Sequence, residues 1–148
     1  MVKFLAGILI VFPNKTKAGR YFIDQLFFNL LNAKKLVKHK NLTFKFYTPN
    51  RVNYFRAETF STKEPETLEW IDRFNQDSVF WDIGANVGLY TCYAAKKANS
   101  KVYAFEPSTF NLEILSKNIF LNKLNDNITI IPFPLTDNLK ETDFNMSS

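Results

Sequence analysis

Val79-Phe80-Trp81-Asp82-Ile83-Gly84-Ala85-Asn86-Val87-Gly88, running on into Leu89-Tyr90-Thr91-Cys92-Tyr93-Ala94-Ala95, decides the fold. A short apolar run ends in an acid, passes through a glycine-bounded turn and enters a good helix-forming segment, Leu89 to Ala98. Strand, tight turn and helix in that order bring backbone and a helix start against a ligand. The pattern then repeats. Lys101 to Phe105 is a second strand with Glu106 at its end, and Pro107-Ser108 opens a helix carried by Leu112, Leu115 and Ile119. Asn127 to Phe133 is a third strand. A β-α-β-α-β order predicts an α/β fold with three parallel strands and right-handed crossovers.

The spacing within the turn separates two ligand classes. A dinucleotide fingerprint places glycines at relative positions 1, 3 and 6. Here Gly84, Asn86 and Gly88 fall at 1, 3 and 5, and Leu89 takes the sixth place. The close approach to a pyrophosphate is compromised, and the packing glycine is absent. What remains is Asp82 before the turn and Glu106 at the end of the next strand. A ligand with an ammonium group and a ribose but no phosphate uses that set: Asp82 for the ammonium or its water, Glu106 for both ribose hydroxyls. S-adenosylmethionine has those features.

Upstream, Glu64-Pro65-Glu66-Thr67 suits a helix start, with Pro65 at the first helical position and Leu68, Ile71 and Phe74 on the buried side. Arg20 to Lys40 reads as one amphipathic helix. Its stripe is Phe22, Leu26, Leu30, Ala33 and Val37, widened by Ile23 and Phe27, and Lys34, Lys35, Lys38 and Lys40 lie at its negative end. That stripe is expected to pack on the core, with an acidic membrane surface as the alternative. His39, inside the lysine cluster, is expected in solvent. Leu42–Tyr47 and Val52–Phe60 read as two strands of a hairpin about Pro49-Asn50. Phe4 to Phe12 is an apolar run of nine residues, short of the ~20 that span a bilayer.

Composition adds exclusions. One cysteine, Cys92, rules out an internal disulfide framework or a Cys-rich zinc module, and with one histidine no metal site is expected. Residues 1–60 carry 11 Lys and Arg against Asp24 and Glu58, a charge of +9, whereas residues 61–148 sum to −4. The border suggests a basic N-terminal extension over 1–60 and a cofactor-binding domain over 61–148. No strand combines aromatic and basic residues in the RNP manner, which argues against nucleic acid as partner.

From Lys63 to Asp137 the chain resembles the FkbM-type family of S-adenosylmethionine-dependent methyltransferases. The resemblance is carried by Glu64-Pro65-Glu66-Thr67, by Asp82-Ile83-Gly84-Ala85-Asn86-Val87-Gly88, by Ala104-Phe105-Glu106-Pro107-Ser108, and by Asn111, Asn118 and Asn122. It implies a Rossmann-like class I methyltransferase fold, with Asp82, Gly84, Ala85, Asn86, Gly88 and Glu106 lining the cofactor and Glu64 and Thr67 near the mouth. Pro134-Leu135-Thr136-Asp137 stands where the family has Ala-Leu and an acid near the adenine, which makes Asp137 a further candidate. The implied activity is O-methylation of a hydroxyl on a sugar, glycan or small secondary metabolite, in the cytoplasm; no residue is assigned as base. Only strands 1–3 of a seven-stranded sheet are expected here, so the chain reads as C-terminally truncated. The alternatives are a non-catalytic remnant, half of a split protein whose partner chain completes the sheet, or a peripheral membrane module.

Overall fold

The computed structural model describes residues 16–137. The apolar run Phe4–Phe12 and the polar tail after Asp137 lie outside them. Helix α1 (Lys17–Leu31) leads into strands β1 (Lys34–His39) and β2 (Leu42–Tyr47), then helices α2 (Arg51–Glu58) and α3 (Pro65–Asp72). Next come β3 (Val79–Ile83), α4 (Leu89–Ala98), β4 (Lys101–Phe105), α5 (Thr109–Leu121) and β5 (Ile128–Ile131).

The second half follows the expected pattern. β3, β4 and β5 form a parallel sheet in that spatial order, with Val79 opposite Lys101 and Val102 opposite Ile128. Two crossovers stepping the same way around the sheet put α4 and α5 on one face. Phe80, Val102, Ala104 and Ile128 are buried there against Tyr93, Leu115 and Ile119. The opposite face is open among the described residues: Val79, Trp81 and Ile83 are 65%, 55% and 61% exposed. β3 is an edge strand of this sheet. Pro65 takes the first turn of α3 as expected, and Leu68 and Ile71 are buried beneath it.

The first half departs from expectation at four points. The helix expected to run from Arg20 to Lys40 stops at Leu31, because Asn32 closes its last turn with Nδ2 donating to the Phe28 carbonyl at 2.8 Å. Lys34–His39 is then a strand, antiparallel to β2. Alternation spreads the lysines over both faces, and Val37 is the buried residue. The hairpin therefore joins β1 to β2 through Lys40-Asn41, not β2 to Val52–Phe60. Asn50 caps a helix there instead, its side chain accepting from the Asn53 amide at 3.0 Å. The buried residues Asn53, Ala57 and Phe60 follow the helical i, i+4, i+7 spacing. The packing expected for the α1 stripe is reduced to Ile23, which is buried, while Phe22, Leu26, Phe27 and Leu30 are exposed.

His39 is not a solvated residue either. Its Nδ1 lies 2.9 Å from Ser61 Oγ, and its ring meets Phe60 and Tyr93 edge-on. A strand places it inward beside Val37, which a helix end would not do.

One core joins both halves. Phe44 of β2 and Phe60 pack on Tyr93 of α4, and Phe46 of β2 packs on Phe60. Asparagine side chains of α5 and of its C-terminal cap hold β2 through backbone groups. Asn122 accepts from the Lys45 amide and donates to the Lys45 carbonyl, both at 3.0 Å. Asn118 Oδ1 accepts from the Tyr47 amide at 2.7 Å, and its Nδ2 donates to the Val87 carbonyl at 2.7 Å. Asn118 thus ties the hairpin directly to the glycine turn.

Candidate cofactor cleft

The turn between β3 and α4 is built from left-handed residues. Gly84, Asn86 and Gly88 have φ of 78°, 53° and 77°. Such values cost little for glycine and are tolerated by asparagine, which explains the residue types at these positions. Gly84 and Ala85 both donate to the Phe105 carbonyl at 2.9 Å, and Gly88 donates to the Ala85 carbonyl at 2.8 Å. The Asn86 amide donates to Glu106 Oε2 at 2.7 Å. Four of the turn's amides are therefore already used. That leaves little backbone donor capacity for a phosphate, as the 1-3-5 spacing implies.

Beside the turn lies a cleft of about 480 Å³. Asp82, Gly84, Ala85 and Asn86 form its floor, and Glu64 and Thr67 at the start of α3 reach it from the other side. Six of the nine residues expected at the cofactor thus line one cleft. Gly88 sits beneath it, its α-carbon facing Leu115. Glu106 lies behind the turn, 5% exposed. There its Oε1 accepts from the Ser108 amide at 2.8 Å and from Asn111 Nδ2 at 3.3 Å. Asp137 is exposed and does not line the cleft.

Asp82 carries the distinctive electrostatics. Burial pushes its carboxyl above the ordinary value of 3.8, the Thr91 hydroxyl donating to Oδ2 works against that, and the charge of Glu106 adds to it. A cationic ligand would favour the ionised form. The raised value also has a consequence for stability. Folding favours the neutral acid, so this contribution is present below 3.8 and is lost as pH rises through the folded-state value. Asp82→Asn, which keeps an oxygen for Thr91, is therefore expected to raise the Tm at pH 7, with a gain that shrinks toward pH 3. Thermal melts at both pH values check this, and a gain that grows on acidification would contradict it.

Three further residues of the cleft carry no signal in the motifs. Tyr90 has its hydroxyl pushed up to about 12 by burial and by the charge and hydrogen bond of Glu64. Trp70 closes the apolar side, edge-on to Phe80. Arg56 comes from α2, with Nη1 donating to Asn86 Oδ1 at 2.8 Å. Reading 52–60 as a strand concealed it, because only a helix there puts Arg56 beside the turn.

No family model matches the chain. Over 48 residues it is 38% identical to the hexuronic acid methyltransferase AglP of Haloferax volcanii, a stretch that is 32% of this chain and 19% of that protein. Two solved structures from Pyrococcus horikoshii superpose with a TM-score of 0.51 over 70% of this chain. One is described as a transferase (17% identity), the other is TYW2 in complex with MeSAdo (18%), and the matches cover 37% of each. The chain spans well under half the length of these proteins. The two superpositions show the fold: the described residues share the α/β arrangement of the matching part of those structures.

Proposed function

We propose that the cleft binds S-adenosylmethionine and that the chain is part of an FkbM-type methyltransferase acting on a hydroxyl acceptor. The observation that carries this reading is the turn itself. The Gly84, Ala85, Asn86 and Gly88 amides are taken by Phe105, Glu106 and Ala85, so the polarity toward a ligand comes from side chains, the Asp82 and Glu64 carboxylates together with Arg56 and Lys63. The two carboxylates suit the cationic groups of a phosphate-free cofactor. Asp82 and Glu64 would face the ammonium and the sulfonium, and the left-handed turn would allow close approach of the chain. Glu106, expected at the ribose, is buried and outside the cleft lining, and its part is to hold the turn in shape through the Asn86 amide.

When bound, S-adenosylmethionine supplies an activated methyl group. The residues of this chain would hold and orient it, which is the main demand of an in-line displacement. The hexuronic acid named for the Haloferax relative makes a sugar acid the first acceptor to test. Nucleic acid belongs in the same panel, since lacking an RNP-type strand speaks to only one mode of binding it. The test of the cofactor reading is calorimetric titration of S-adenosylmethionine into the chain, with Asp82→Ala and Glu106→Ala as comparisons.

A further inference from the structure

Arg56 is half-buried at the cleft and has one hydrogen bond, from Nη1 to Asn86 Oδ1 at 2.8 Å. A guanidinium has five donors in a planar fork, so most of this one is uncommitted. Among the described residues no carboxylate lies within ion-pair distance of it. Lys63, on the same cleft, has only a loose 3.8 Å contact with Glu64. Desolvating part of a guanidinium charge is costly, and an anionic partner offsets that cost. The position is also not accidental slack. Asn53 and Ala57 are buried on either side in sequence and fix α2, and Asn86 is fixed in turn by Glu106.

We propose that Arg56 is a carboxylate-binding residue of this cleft, contributed by the basic N-terminal segment. The inference rests on the cofactor reading above and names a specificity within it. A ligand carrying a sulfonium and an ammonium is served by Asp82 and Glu64, and would be repelled by Arg56 unless a carboxylate lay between. Two sources supply that group: the amino-acid end of the cofactor, or a sugar acid acceptor. Either can take the guanidinium fork through two parallel N–H···O bonds.

The full chain, Arg56→Gln and Arg56→Lys are titrated calorimetrically with S-adenosylmethionine and with its decarboxylated analogue, then with D-glucuronate and D-glucose. Loss of one charge-assisted contact weakens binding by about tenfold or more. If the cofactor is the source, Arg56→Gln weakens S-adenosylmethionine by that factor and leaves the decarboxylated form unchanged. If the acceptor is the source, both cofactor forms bind as before and the preference for glucuronate over glucose disappears. The proposal is overturned if Arg56→Gln keeps both the ratio between the two cofactor forms and the glucuronate preference. A proportional weakening of both forms gives that same ratio, and means Arg56 acts only through Asn86. Arg56→Lys keeps the charge without the fork and gives a partial version of the same selectivity loss, which serves if the glutamine variant melts early. Failure of both cofactor forms to bind the intact chain would sink the cofactor reading, and the glucuronate arm would still decide on Arg56.

Discussion

Gly88→Ala is expected to destabilise the chain by about 3 kcal/mol, from two additive sources. Gly88 has φ of 77°, where a Cβ strains the backbone by ~1–2 kcal/mol. That Cβ would also lie 2.2 Å from Leu115 Cδ1. Leu115 is fully buried at 0% exposure, so it has no solvent to swing into, and overpacking costs ~1–3 kcal/mol. Gly84 is the natural comparison. It has the same left-handed φ, 78°, but a Cβ added there would meet nothing within 4 Å, so Gly84→Ala should cost only the strain, about 1 kcal/mol. Urea denaturation of both variants separates the two causes. Removing the obstruction in Gly88→Ala/Leu115→Ala should cost clearly less than the sum of the single changes. Equal costs at Gly84 and Gly88 would show that Leu115 gives way freely.

Asn118→Ala should cost a similar amount, about 3 kcal/mol, for a different reason. Asn118 is 1% exposed, and its amide satisfies the Tyr47 N–H and the Val87 carbonyl at once. Alanine strands both backbone groups in a space closed to water, and each orphan costs ~1–3 kcal/mol. Asn122 makes the analogous pair with Lys45 in an exposed setting, where water can replace it. Its alanine variant should lose no more than about 1 kcal/mol. Denaturation gives the costs, and amide exchange gives their location: Tyr47 should lose protection in Asn118→Ala and keep it in Asn122→Ala. A cost under about 1 kcal/mol at Asn118 would mean the hairpin and the turn are not coupled through this side chain.

These two residues also show what a sequence can convey. The glycine turn, the strands around it and Pro65 were legible because each is fixed locally, by positive φ, by apolar runs of strand length, or by a missing N–H. Asn118 was visible as part of a resemblance, but its purpose was not, since its partners Tyr47 and Val87 lie 71 and 31 residues away. The basic segment misled for a related reason. Its lysines repeat closely enough to resemble a helix end, and only Asn32, capping at Leu31, and the pairing of Lys34–His39 with Leu42–Tyr47 break that reading. Asn50 has two uses, ending a strand in a turn or opening a helix. The choice is made by Asn53, Ala57 and Phe60 meeting the core. Once that segment is helical, Arg56 arrives at the cleft, a placement no local pattern announces.

Asp82 and the turn after it are proposed to form an S-adenosylmethionine site. Calorimetric titration of S-adenosylmethionine into the chain tests it most directly. The predicted result is saturable one-to-one binding by the intact chain, weakened about tenfold or more by Asp82→Ala and by Glu106→Ala, with both variants still folded by circular dichroism. No binding by the intact chain, or equal binding by the intact chain and Asp82→Ala, would contradict it.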